Sequence, residues 1–92
     1  MTTQERIRGY IEEQDLDEPI LLFESPNYET AFIGLDYITG RAIYDYDKMI
    51  EYLITDYHLD HLEAIEFFEF NTARSLPYYN DAPIILKSWG NV

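Results

Sequence analysis

TAFIGLDYITGRAIYDYDKMIEYL, residues 30–53, changes its periodicity half-way along. Thr30 to Leu35 and Arg41 to Tyr44 are rich in β-branched, aromatic and apolar residues, the mix that suits a pleated, half-buried surface. Thr39-Gly40 lies in the connection, so the two runs read as a hairpin. Gly34, inside the first run, marks a bulge or a close backbone approach. Beyond Tyr44 the spacing becomes helical: Met49, Ile50, Leu53, Ile54 and Tyr57 share one face. Asp45 or Asp47 stands where a carboxylate can accept the first unpaired amides of that helix. A hairpin running straight into an amphipathic helix implies an α+β fold.

Towards the N-terminus, Thr2-Thr3-Gln4-Glu5 has the form of a capping box. Ile7, Tyr10, Ile11 and Gln14 share a face behind it, which predicts a helix to about residue 14. Asp15 to Pro19 is a polar break, Ile20-Leu21-Leu22-Phe23-Glu24 reads as a buried strand, and Ser25-Pro26-Asn27 is turn chemistry. The expected sheet is therefore a three-stranded antiparallel meander. Towards the C-terminus, Asp60 with Glu63 forms a second capping box, with Leu59 placed to staple onto Ala64. That third helix should stop near Leu76, because Pro77 disfavours helical geometry in the residue before it. Ile84-Ile85-Leu86 then reads as a short edge strand or a docked tail, with Trp89 as a terminal anchor. The whole, residues 1–92, is expected to be one α+β domain, since half of 92 residues is too small for a core of its own.

The third helix contains EAIEFFEFNTAR, residues 63–74. Ala64, Ile65, Phe68, Thr72 and Leu76 form its inward stripe, with Asn71 at the border. Phe67 and Phe70 fall on the opposite flank, beside Glu63, Glu66 and Arg74. Either the sheet, the first helix or the C-terminal tail covers that flank, or it is an aromatic patch rimmed by charge and built to meet a partner. Glu63, Glu66, Phe67, Phe70 and Arg74 are thus the candidate partner-binding residues. Tyr44, Tyr46, Tyr78 and Tyr79, at element ends, are further candidates, because tyrosine offers large contact area with a polar tip.

Eighteen acidic residues against six basic ones give a net charge of −12. Such a field repels nucleic acids and anionic membranes and favours a basic protein partner, or mimicry of a phosphate backbone. The alternative explanation of the acidity is solubility alone. Glu12, Glu13, Asp15, Asp17 and Glu18 form one acidic cluster, and eight acids with a single base, Lys48, lie between Asp45 and Glu69. Apolar residues recur through the second group at helical spacing, so its acids belong to folded surface. No membrane span is expected, because the longest apolar run is four or five residues. The N-terminal MTTQERIRGYIEEQ has no apolar core of a signal peptide, which leads to an expectation of a cytoplasmic protein. The absence of cysteine removes disulfides, thiolate zinc sites and cysteine nucleophiles.

Asp56, His58, Asp60 and His61 bring both histidines together with carboxylates, and imidazole with carboxylate can ligate zinc or another divalent ion. Their spacing matches no metal motif, and Asp60 is better used as a helix cap, so no metal and no cofactor is expected. No phosphate-binding glycine loop or nucleophile elbow occurs. A small metal-dependent or acid–base enzyme centred on His58, Asp60 and His61 is the alternative to a non-enzymatic binder.

The runs YDYDKMIEYL (44–53), EAIEFFEFNTARSLPYY (63–79) and APIIL (82–86) resemble a group of small acidic proteins of Firmicutes genomes, their phages and prophages. The resemblance implies an accessory role and transfers no catalytic residue. By analogy with small acidic phage inhibitors of the antirestriction and anti-CRISPR kind, it suggests a protein that presents a nucleic-acid-like surface. A second copy of the chain is the other partner to be considered.

Overall fold

In the computed structural model, which describes residues 2–16 and 19–89, the first helix begins where its capping box requires. Helix α1 (Thr3–Glu13) is opened by Thr2, whose hydroxyl accepts from the Glu5 amide while the Glu5 carboxylate accepts from the Thr2 amide. The Thr2 amide, then the Thr2 hydroxyl, hold the Glu5 carboxyl below its usual range. Of the acidic cluster that follows, Asp17 and Glu18 lie outside the described residues. A short 3₁₀ turn (Glu29–Ala31) then leads into strand β1 (Phe32–Leu35), which pairs antiparallel with β2 (Ala42–Asp45). The register shifts between Phe32 and Gly34, the bulge that Gly34 implied. The connecting turn is fixed by Asp36, whose carboxylate accepts from the amide and the hydroxyl of Thr39, each at 2.7 Å.

Asp45 ends β2 and caps α2 (Tyr46–Asp56), accepting from the Lys48 amide at 2.9 Å. Helix α3 (His61–Phe67) starts at the Asp60–Glu63 box and runs on through a π turn (Phe68–Thr72) into a 3₁₀ turn (Ala73–Tyr78). The helical path runs two residues past the expected end at Leu76, with Pro77 inside the 3₁₀ turn, and its last two turns are not α-helical. The Ala73 amide donates to the Phe68 carbonyl, the bond that makes the middle turn a wide one. Strand β3 (Ile84–Leu86) completes the sheet, in the order β1-β2-β3.

The α+β architecture stands, but the sheet is mixed rather than a purely antiparallel meander. β3 pairs parallel to β2, with Ile43 opposite Ile84 and Asp45 opposite Leu86. The expected strand over Ile20–Glu24 is not a strand. Its Phe23 packs edge-on against the rings of Tyr44 and Tyr28, at centroid distances of 4.8 and 5.3 Å. The Phe23 amide donates to the Tyr44 hydroxyl, 3.4 Å away, rather than to a ladder. The segment therefore lies over the core instead of beside a strand, and the free side of β2 goes to β3. Trp89 does not anchor the terminus; it is 98% exposed. Tyr44, read as a contact residue, is a core residue at 2% exposure.

The core sits between the sheet and the two central helices, and aromatic rings dominate it. Tyr28 is fully buried although its φ of 48° lies in the left-handed region, a conformation bulky side chains rarely adopt. Met49, Ile50 and Leu53 of α2 and Ala64 and Phe68 of the α3 path pack against it. Among the described residues no helix is long and apolar enough to cross a membrane.

Candidate functional site

The five residues on the outer flank of the α3 path have different surroundings. Glu63 is exposed, and its carboxylate accepts from the Asp60 amide at 3.0 Å while its own amide donates to Asp60 at 2.8 Å. Glu66 is exposed. Phe67 is half-buried, packed against the core and set 5.6 Å from the Tyr57 ring. Phe70 is 66% exposed, and the Arg74 guanidinium lies 5.5 Å from its ring centroid. Such a stack keeps an aromatic face ordered in water and tethers a mobile cation. Of the inward stripe, Ala64, Phe68 and Thr72 are buried, while Ile65 and Leu76 are half-buried. The flank is thus part core, through Phe67, and part surface, through Phe70.

Beyond Phe70 the same segment shows two more rings to solvent, Tyr78 at 86% and Tyr79 at 54% exposure. Tyr46 is turned inward instead, edge-on to Phe68 at 5.1 Å with the Lys87 ammonium 4.9 Å over its ring. Burial, then the Glu69 and Asp47 carboxylates, raise the Tyr46 phenol above its ordinary pKa. The acids Asp47, Glu51, Asp56, Glu63, Glu66 and Glu69 are all exposed. The carboxylates of α2 and of the α3 path are therefore solvated.

The histidine turn has another geometry. His58 takes a φ of 58° between α2 and α3, Asp60 is engaged in its capping box, and His61 is the first residue of α3. Among the described residues no three His, Cys, Asp or Glu side chains group as a metal-ligand set, so Asp56, His58, Asp60 and His61 are not brought together.

A cleft of about 320 Å³, not anticipated from the sequence, lies between residues 21–26 and residues 71–79. At its wall the Tyr28 and Thr72 hydroxyls share a short, buried hydrogen bond. Burial raises the Tyr28 phenol above its ordinary pKa, partly offset by that bond. The other polar side chains offer acceptors. Ser75 donates its hydroxyl proton to the Thr72 carbonyl at 2.8 Å, and Asn71 donates an amide proton to the Phe67 carbonyl at 3.1 Å. What remains is the Ser75 oxygen, the Asn71 amide oxygen, the Ser25 and Tyr79 hydroxyls and the Glu24 carboxylate, the sole charged group of the lining among the described residues. Asn71 and Ser75 directly follow Phe70 and Arg74, so cleft and exposed ring belong to one stretch of chain. Of the cleft residues only Tyr79 stood out as a contact candidate in the sequence. Tyr28 and Thr72 are 44 positions apart, and no local pattern announces that they meet.

No family profile, curated protein or solved structure matches the chain.

Proposed function

We propose that the protein is a non-enzymatic interaction module that docks a basic protein through the surface carrying Phe70, Arg74, Tyr78 and Tyr79. The observation that carries this reading is the exposure of Phe70, Tyr78 and Tyr79 along one helical segment of a chain with net charge −12. Folding gains nothing from leaving three large rings in water, whereas aromatic anchors with an adjacent arginine are the groups that dominate protein interfaces. The surrounding carboxylates supply the long-range attraction and select a cationic partner over an anionic one. The same field works against a second copy as partner, because two chains of like charge repel.

The resemblance to small acidic proteins of Firmicutes and their phages supports an accessory role in a phage or mobile element. On this view the partner is a nucleic-acid-binding protein, and exposed carboxylates such as Glu51, Glu63, Glu66 and Glu69 take the place of phosphates. The test is site-specific photocrosslinking in an extract of a Firmicutes host. Benzoylphenylalanine at position 70 should capture a basic protein that is lost at high salt and displaced by duplex DNA. The same group at Tyr37, exposed on the hairpin turn, should not capture it. Equal capture from both positions, or capture indifferent to salt, would overturn the proposal.

A further inference from the structure

Residues 19–24 run without turn or bend, yet no backbone–backbone hydrogen bond among the described residues reaches positions 19–27. The Phe23 amide alone has a protein acceptor, the Tyr44 hydroxyl. Ile20, Leu22 and Phe23 are packed against the core, so the segment is held in place by its side chains while its peptide groups, the Phe23 amide apart, have no protein partner among the described residues. This is the physical condition of a free sheet edge, a row of donors and acceptors ready for another strand. The composition agrees, since Ile-Leu-Leu-Phe between Pro19 and Pro26 has the pattern of a strand.

There is room for a neighbour on two sides. One cleft, toward α1, is lined by Arg8 and also by Glu24. The other, toward residues 71–79, follows the chain from Leu21 to Pro26 and presents the Glu24 carboxylate with the Ser75 and Asn71 oxygens. A groove with one negative charge and no positive one suits a strand carrying lysine or arginine, whereas on the other side Arg8 stands in the same lining as Glu24 and offsets it.

We propose that Ile20–Glu24 is a recognition strand that pairs, in the cleft facing residues 71–79, with an extended lysine- or arginine-bearing segment of the partner. This deepens the function proposed above and rests on it. Main-chain bonds to Ile20–Glu24 provide the affinity, and Glu24, Asn71 and Ser75 select the cationic side chains. Tyr79 and Leu21, both partly exposed, are the apolar groups available to the intervening residues.

The test uses the full chain and a capped peptide of alternating lysine and valine, compared with the same peptide N-methylated at alternate positions and with a glutamate–valine peptide. Binding is followed by amide spectra and by hydrogen exchange. The lysine–valine peptide should slow exchange at Ile20–Glu24. N-methylation along one edge should weaken binding about tenfold, the equivalent of one or two net hydrogen bonds. The glutamate–valine peptide should not bind. Leu22→Pro, which removes a donor on the edge opposite the one the Phe23 amide uses, should abolish the protection; if it does not fold, the N-methylated peptide decides alone. Equal binding of the methylated peptide without protection at 20–24 overturns the recognition strand and leaves the acidic docking surface standing. No binding of the lysine–valine peptide at low salt overturns the strand too, and crosslinking from position 70 then decides separately whether the docking surface survives.

Discussion

The hydrogen bond between Tyr28 and Thr72 supports a quantitative test of how this small core is closed. Both hydroxyls are buried, and each is the other's only side-chain partner among the described residues. Tyr28→Phe leaves the Thr72 oxygen buried and unpaired, and Thr72→Val does the same to the phenol. An orphaned buried hydroxyl costs about 1–3 kcal/mol, so either single change should cost that much. A domain of this length has about 5–14 kcal/mol to lose, so both variants should fold. The double variant replaces the pair by apolar groups of nearly the same shape. It should be more stable than the sum of the single losses predicts, by about 1 kcal/mol or more. Urea unfolding of the four proteins, with slopes checked for equality, measures this directly. Single losses that add to within about 0.5 kcal/mol would refute the reasoning. Additivity would mean that water from the adjoining cleft reaches the hydroxyls and replaces each missing partner.

Two other outcomes can be measured on the same apparatus. Phe68→Ala, at a buried site, should cost about 3–5 kcal/mol, while Phe70→Ala should stay within about 1 kcal/mol and Phe67→Ala should fall between them, so equal losses in urea melts would contradict the split of the flank. Burial raises the phenols of Tyr28 and Tyr44 in the folded chain, so their contribution is fully present below the unfolded tyrosine pKa of about 10 and is lost as pH climbs through the raised folded values. Stability measured across this range should therefore fall more steeply above about pH 10, and a Tyr28→Phe curve of equal steepness would exclude Tyr28 as a cause.

What could be read from the sequence was local. The Thr2–Glu5 and Asp60–Glu63 boxes formed as written, and where the sequence left two choices, Asp45 or Asp47 as cap and a bulge or a close approach at Gly34, the structure has Asp45 and a register shift; all involve residues a few positions apart. The stripe from Ala64 through Phe68 to Thr72 was legible for the same reason. Non-local choices were not. Strand preference in Ile20–Glu24 is strong, but a strand exists only with a partner, and which segment takes the free side of β2 depends on the returning chain. The path through α2 and α3 delivers Ile84–Leu86 parallel to β2, and the N-terminal segment is left over the core. The cleft was hidden likewise, because its two walls are about fifty residues apart and the left-handed backbone at Tyr28 follows no residue preference.

The π turn explains why one run of phenylalanines has two fates. In an uninterrupted α-helix Phe67 and Phe70, three positions apart, would share a flank and be covered or exposed together. The wider turn that starts at Phe68 rotates the following residues relative to that expectation. Phe67, still in α3, keeps its place against the core and Tyr57. Phe70, inside the wide turn, goes to solvent beneath Arg74. Thr72 keeps the inward place that regular helical spacing already gave it and meets Tyr28, and the Asn71 side chain holds the Phe67 carbonyl from outside. A wide turn is less favourable than a regular one and persists where its surroundings stabilise it. Here the Tyr28–Thr72 bond supplies that support on the inside, and the turn in return carries Phe70 outward beside the cleft. Display of the exposed ring is thus the consequence of this irregularity, and a change that straightens the helix should move Phe70 while leaving Thr72 on its inward face.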